Sequence, residues 1–577
     1  MIHLRRLLPY LARHQRPLVL GLLCLFSTTA FSVAQPWVLR HAIDDLTAAV
    51  TREKLWRYAG LLVLLVSIEG GFRYFMRMVL IGVSRDIEVD LRNDLFAHLA
   101  RLPARFYQDT RIGDVMSRAT SDMSAVRMVL GPGIMYTAST SATFVGTVIF
   151  MATISPLLLG LALVPLVLVS FLVRHYGRQI HDRFESVQEQ LANLTALVQE
   201  NLSGARVVRA YVQEGAELQK FAALSGELLE RNRKLIQLTG ILYPGIQFLM
   251  GTGAVLVIGL GGALVVRGTI TIGEFVAFGT YLAMLHWPMI AVGWVINLFE
   301  RGEASMGRIR ALLDTVPAIR DESPRAVAPL RGEVVFRNLS FSHGGVPVLE
   351  GIDLEVRAGT TVAVVGPTGS GKSTLVSLIP RLFDPPPGTL FVDGVDVREI
   401  PLATLRGAVG FVPQESFLFS ATLRENVALG VQEAADPRVE RAAEIAQLAR
   451  DVRDFPKGYL TFVGERGLTL SGGQKQRTAL ARALATDPRI LVLDDSLSAV
   501  DTETEERILE GLREVMRQRT TFLVSHRVST VRGADLIVVL REGRIVERGT
   551  HEELLAREGF YADLHRRQLL EEEVEVA

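Results

Sequence analysis

A single cysteine, Cys24, in 577 residues removes two kinds of architecture at once. No disulfide can form within the chain, and no cysteine cluster can hold a metal. Cys24 sits in an apolar run, where a thiol serves packing. Net charge is also missing: 62 basic and 62 acidic residues leave +0 at pH 7. No basic field exists to gather nucleic acid, so no nucleic-acid partner is expected. A cleavable leader is not evident either. Residues 1–17 are basic and amphipathic (Arg5, Arg6, Arg13, Arg16), and the apolar stretch that follows exceeds a signal core and lacks a convincing cleavage site. The segment reads as an interfacial helix leading into a first span.

Apolar sequence is abundant. Hydrophobic residues make up 49% of the chain and the mean hydropathy is +0.27, high for a soluble protein. The length implies several domains at a prior of roughly 150 residues each. Six stretches reach the ~20 residues needed to cross a bilayer: 18–39, 57–83, 131–153, 156–174, 243–266 and 274–299. Ile154-Ser155 is nearly all that separates the third from the fourth, which predicts a tight hairpin. Arginine and lysine crowd the connections after spans two and four (Arg85 to Arg127; Arg174 to Lys234) and are sparse after three and five. By the positive-inside rule both termini face the cytoplasm.

Both charged connections continue in a helical pattern, interrupted at Thr110–Ser117, around Gly113-Asp114, and at Ser203–Tyr211, around Gly204 and Arg206. Taken alone, each reads as a helix–turn–helix tip. Within the spans, Glu69 and Arg73 stand four residues apart, where charge is expensive and is paired or faces a wet cavity. Span six holds His286, Trp287, Pro288, Trp294 and Asn297. Pro288 should kink the helix, and Glu69, Arg73, His286 and Trp294 are candidates for the transport path. No motif here names a substrate.

The C-terminal part changes character. Residues 311–331 are proline-containing and charged, a linker; from 332 to 577 short strands and turns alternate with helices. The apolar run Thr361–Val365 leads into Gly366-Pro367-Thr368-Gly369-Ser370-Gly371-Lys372-Ser373-Thr374, the P-loop spacing. Backbone amides of such a loop wrap phosphates, the lysine reaches the terminal phosphates, and the following hydroxyl ligates Mg²⁺. Then come Gln414 after an apolar strand, Leu470-Ser471-Gly472-Gly473-Gln474 before a helical run, and Ile490–Asp494, a buried strand ending in a carboxylate suited to Mg²⁺. Ser498–Asp501 follows, and Ser525-His526-Arg527 ends a further strand.

In this order, the motifs identify the chain as similar to ABC transporters of the exporter type, and the resemblance spans nearly the whole length. It implies an all-α six-span transmembrane domain (1–310) followed by an α/β P-loop ATPase domain with an antiparallel β subdomain (332–577). It implies ATP and Mg²⁺ as ligands, with Lys372, Ser373 and the loop amides on the nucleotide and Asp494 on the metal. Gln414 would sense the metal, His526 would touch the γ-phosphate, and Ser471, Gly472, Gly473 and Gln474 would clamp ATP held by an opposing subunit. The two interrupted tips would be coupling helices.

Two positions depart from the family pattern. Asp495 stands where a glutamate ordinarily positions or activates the attacking water. Its arm is one methylene shorter, and a displacement of about 1 Å at a reacting centre can cost roughly a hundredfold. His343 stands where an aromatic ordinarily stacks on adenine, an interaction of about 1–3 kcal/mol per base. The resemblance and Asp495 together lead to a heterodimer in the bacterial cytoplasmic (inner) membrane. A second half-transporter would supply the missing glutamate and carry an altered signature, and the exported substrate would be a small molecule, peptide or lipid. A homodimeric lipid or drug flippase and an ATP-gated regulatory protein that does not pump are the alternatives. The fused spans argue against a soluble ABC ATPase or a receptor-coupled importer.

Overall fold

A computed structural model describes residues 2–576 apart from 323, 326, 432, 465, 466 and 468, and without the side chains of 502 and 571–576. The chain divides into two compact units, Met1–Ala100 with Ile112–Thr315, and Arg101–Arg111 with Val316–Ala577. Residues 316–333 contain no helix or strand among those described; positions 323 and 326 of the expected linker lie outside the described residues.

In hydrocarbon every backbone N–H and C=O must be satisfied within the chain, which for an apolar run of this length means helix. Six helices of the first unit meet the length and composition needed to span: Gln15–Ala48, Arg52–Leu99, Ile112–Ile154, Pro156–Ser203, Glu214–Val266 and Ile272–Leu313. They run well past their apolar stretches. The second has 48 residues, which at 1.5 Å per residue is about 72 Å against a hydrocarbon core of ~30 Å. Spans one and two pack along their length, as do four and five. Between three and four, Ser155 accepts from the Leu158 amide at 3.3 Å, with Pro156 at the first helical position. That cap-and-proline pairing turns the chain in one residue.

Span six is two helices, Ile272–Met284 and His286–Leu313, parted at Leu285. Pro288 has no N–H to give to the carbonyl four residues earlier, Met284, and its ring crowds that carbonyl, so the break falls one turn before the proline. Tyr281 is buried, donates to the Val33 carbonyl at 2.9 Å and stacks on Phe150 with ring centroids 5.7 Å apart. Trp294 meets Tyr136 edge-on at 5.1 Å and lines, with Ser124, Asn297 and Arg301, a cavity of about 370 Å³. Glu69 is buried and accepts from Arg73 and, at 2.5 Å, from Gln35 of span one. That carboxylate therefore ties two spans together.

The first interrupted tip differs in part from the sequence expectation. Ile112–Ser117 is helical and belongs to the membrane unit; the actual break lies at 100–103 and 110–111. Between those breaks the short helix Ala104–Asp109 groups with the second unit. A Cβ at Gly113 would meet open space, so this glycine does not force a turn; the preceding helix ends at Leu99, and Pro103 stands just before the short helix. The second interruption is where expected, with the short helix Ala205–Ala210 set off by Gly204 and Tyr211.

In the second unit, strands β1 (Val334–His343), β2 (Val346–Val356), β3 (Thr361–Val365), β4 (Leu390–Val392), β5 (Val395–Asp396), β6 (Val409–Val412), β7 (Ala421–Thr422), β8 (Phe462–Val463), β9 (Ile490–Asp494), β10 (Thr520–Val524), β11 (Leu536–Arg541) and β12 (Arg544–Gly549) form three sheets. The antiparallel sheet runs β2-β1-β4-β5, the six-stranded sheet runs β12-β11-β3-β10-β9-β6, and β7 pairs with β8. In the six-stranded sheet only β12 is antiparallel. Its central strands are buried throughout, with uninterrupted apolar runs such as Ile490–Leu493, as parallel strands covered on both faces require.

One glycine fixes how spans one and six meet. The Gly273 amide donates to Asp44 Oδ1 at 2.8 Å, Thr271 Oγ1 donates to Asp44 Oδ2 at 2.8 Å, and a Cβ on Gly273 would lie 2.2 Å from the Arg40 carbonyl. Gly273→Ala is therefore expected to destabilise the membrane unit by about 1–3 kcal/mol through overpacking. Thermal unfolding in detergent should show a lower midpoint, and an unchanged midpoint would contradict this packing.

Candidate nucleotide site

β3 buries every residue and then opens into the glycine loop. Gly366 has φ 150°, and a Cβ there would lie 2.1 Å from the Leu540 carbonyl of β11. Gly371 has φ 98°, and a Cβ there would lie 2.9 Å from Leu349 Cδ2 and 3.0 Å from the Val348 carbonyl. Backbone conformation and close approach both require glycine at these two positions. They pin the loop between the parallel sheet and the β subdomain.

Lys372 is 6% exposed, and its Nζ spans the loop, donating to the Gly366 and Pro367 carbonyls at 2.8 and 2.9 Å. Burial pushes its amine below the ordinary lysine range, while the Asp495 and Asp494 charges pull the other way. Ser373 Oγ donates to Asp494 Oδ1 at 2.9 Å. Asp494 is itself buried, and burial raises its carboxyl above the usual range. Asp495 adds to that rise, and Ser373, Lys372 and His526 oppose it. Ser370 Oγ is buried with no hydrogen-bond partner. A cation, an orphaned hydroxyl and a destabilised carboxylate thus converge on one space. This is the electrostatic signature of a site for an anion carried with a cation.

That space is a cavity of about 290 Å³ lined by 368–374, Gln414, Asp494, Asp495 and His526. Four neighbouring strands explain the convergence: the loop follows β3, His526 follows β10, the two aspartates end and follow β9, and Gln414 follows β6. Parallel strands put all their carboxyl ends on one edge, where α/β sheets bind ligands. Asp495 adopts φ 45° and is held there by its amide, which donates to the Val524 carbonyl at 2.9 Å. A left-handed residue costs on the order of 1 kcal/mol.

No group of three or more His, Cys, Asp or Glu able to hold a metal exists among the described residues. Ser373 and Asp494, with Gln414 facing the same cavity, supply a few hard oxygen donors. Such a set suits Mg²⁺ that completes its shell with phosphate oxygens and water. The site fits a nucleoside triphosphate with Mg²⁺, the metal neutralising phosphate charge.

Comparison with known proteins agrees. Residues 18–289 match the family model for the ABC transporter transmembrane region, and 349–498 match the family model described as ABC transporter. The chain is 38% identical over 562 residues to the probable multidrug resistance ABC transporter ATP-binding/permease protein YheI of Bacillus subtilis, covering 96% of this chain and 95% of that one.

The chain is an ABC transporter.

It is also 34% identical to the ATP-dependent lipid A-core flippase of Syntrophus aciditrophicus, over 99% of this chain and 95% of the flippase. A solved bacterial Atm1-family ABC exporter with ATP bound matches at TM-score 0.79 and 30% identity, covering 96% and 98% of the two chains. This ABC transporter is accordingly an exporter-type half-transporter, a multi-pass membrane protein whose ATP hydrolysis is coupled to transport.

The signature segment of the ABC transporter stands apart from its own P-loop. Ser471 caps the helix Gly472–Ala485 in a reciprocal box with Gln474, at 3.0 and 3.3 Å, and none of Ser471, Gly472, Gly473 or Gln474 lines the cavity. Ser471 and Gly472 are exposed. His343 does not line the cavity either; its ring sits edge-on to Phe341 and Phe383 at 4.9 and 4.7 Å. Three contributors escaped the sequence reading. Val348 and Val524 line the cavity, with no polar side-chain atom to signal them. Gln476 accepts from the Ala499 amide at 2.9 Å and donates to Ser498 Oγ at 3.1 Å. That side chain braces the signature helix against the segment following Asp495, and only its position two residues past Gln474 hinted at it.

Asp494 gives a pH test. Its raised pKa means that ionising it in the nucleotide-free fold costs stability, a cost absent at low pH and growing as pH rises through the folded pKa. Asp494→Asn should therefore raise the melting temperature of nucleotide-free protein at neutral pH, by a margin that shrinks on acidification, while Mg²⁺-dependent ATP hydrolysis is lost. A lower melting temperature at neutral pH would contradict the assignment.

Proposed function

We propose that this chain is one half of a heterodimeric exporter in the bacterial cytoplasmic membrane, with both termini cytoplasmic. It would move small molecules, peptides or lipids outward using one consensus and one degenerate ATP site. The observation that carries this reading is Asp495. It lines the cavity in the place of the hydrolytic glutamate, on a backbone already fixed by Val524, so the missing methylene is not recovered by a shift of the chain. A general base contributes about 10²–10⁴ in rate, and a shortened arm forfeits much of it.

Lys372, Ser373 and the loop amides bind the triphosphate, Asp494 and Gln414 orient the metal side, His526 faces the terminal phosphate, and His343 takes the adenine end. The signature from Ser471 to Gln474 is intact and exposes Ser471 and Gly472, free to complete a site on a partner that has the glutamate. A helix N-terminus facing an anion is favourable. The partner's signature, which we take to be altered, closes this chain's own slow site. Closing of the two ATPase domains on ATP favours the outward-facing state, and hydrolysis at the consensus site resets it.

The chain expressed alone should hydrolyse ATP slowly, and Asp495→Glu should raise that rate by about tenfold or more. Fast turnover and transport by the chain alone would overturn the heterodimer and favour a homodimeric flippase.

A further inference from the structure

The strongest brace on the hydrolytic edge comes from the far end of the chain. β10 stops at Val524, and the short helix Val528–Val531 starts four residues later; His526 lies in the irregular stretch between. Neither element can satisfy the backbone polar groups there, because the strand ladder has ended and the first amides of a helix have no intrahelical acceptor. Gln568, on the closing helix Phe560–Val576, takes both. Its Oε1 accepts from the Val528 amide at 2.8 Å, and its Nε2 donates to the carbonyl of His526 itself. A carboxamide is the side chain that presents a donor and an acceptor side by side.

The helix that delivers Gln568 is firmly seated. Glu547 of β12 accepts from the Phe560 and Tyr561 amides at 2.6 and 3.2 Å, and Tyr561 is fully buried with its hydroxyl 2.8 Å from His551 Nδ1. Tyr561, Leu564 and Gln568 follow i, i+3, i+7 spacing and share one face; the first two pack into the core, and the third reaches the loop. On the other side, Glu505 is 3% exposed and accepts from Arg527 and Thr530. Gln568 thus holds the backbone on both sides of Arg527, while Glu505 holds the side chains of Arg527 and Thr530.

We infer that Gln568 is a positioning residue for His526, setting the imidazole's place at the phosphate end of the site. The inference rests on His526 acting at the γ-phosphate. Gln568 has no contact with the nucleotide cavity, so its loss should alter turnover through His526 and leave binding alone.

The test uses the full-length chain in lipid nanodiscs, with Asp495→Glu present so that its own site turns over measurably. Gln568→Met, which keeps length and volume but neither hydrogen bond, should lower kcat for Mg·ATP about tenfold with KM changed less than about twofold. Gln568→Glu keeps the acceptor for the Val528 amide and loses the donor, so it should fall between. Adding Gln568→Met to His526→Ala should lower kcat no further than His526→Ala alone, since a residue acting only through His526 has nothing left to position. Independently of turnover, amide exchange at 526–530 in the nucleotide-free chain should quicken in Gln568→Met. If His526→Ala leaves kcat unchanged, the role of His526 falls, and this inference with it. If His526→Ala lowers kcat but Gln568→Met does not, or the two losses multiply, or exchange at 526–530 is unchanged, the Gln568 inference alone is overturned.

Discussion

The parallel pairing of β3, β10, β9 and β6 is the constraint on which the ATP site depends. Four adjacent strands end on one edge, and each hands over one functional element: the glycine loop, His526, the aspartate pair and Gln414. The strands are buried so completely that a register slip would move several functional groups together and expose apolar side chains. Gly366 and Gly371 then seat the loop against Leu540 and Val348 at distances no side chain would allow. The rigidity of the sheet is thereby passed to the phosphate-binding backbone.

That rigidity sharpens the meaning of Asp495. In a pliant loop, movement of the main chain would compensate for a shorter carboxylate. Here the main chain bonds to β10 and sits in a left-handed conformation. Lys372 and Asp494 are charged groups held out of water with their pKa values driven toward neutrality by burial. A ligand that carries charge opposite to these groups would offset their burial further, so ligand binding and domain stability are linked. The signature helix does not line this cavity yet is tied by Gln476 to the segment that follows Asp495. The signature helix and the segment that follows Asp495 are therefore mechanically joined.

Much of this was legible in the sequence because phosphate chemistry restricts it locally. The glycine loop, Asp494, Gln414 and His526 each follow or end a short apolar run, and their order resembles that of ABC transporters, which implied a common site; the shared sheet edge is seen in the fold. Spans were legible from apolar length, although 18–39 or 57–83 mark only the apolar middle of helices that continue as Gln15–Ala48 and Arg52–Leu99. Charged amphipathic sequence carries the same helices beyond the apolar part, where hydropathy is silent. Thr110–Ser117 was legible only in part: residues 110–111 interrupt the helix, but Ile112–Ser117 is helical through Gly113, and the second break at 100–103 carries no glycine to mark it. Gln568 and Glu505 were invisible, since nothing in a helical stretch of polar residues reveals which one reaches a loop about forty positions away in one case and about twenty in the other. Tertiary contact alone selects them.

The central claim is that this chain's own ATP site binds its nucleotide and hydrolyses it slowly because the carboxylate after Asp494 is too short. A single-turnover measurement on the complex with its co-expressed partner, loaded with radiolabelled ATP and Mg²⁺, addresses it directly. The account predicts that one ATP per dimer is converted in the first turnover and that the other persists, crosslinked by photolabel to this chain. Conversion of both at one rate, or retention on the partner, would contradict it.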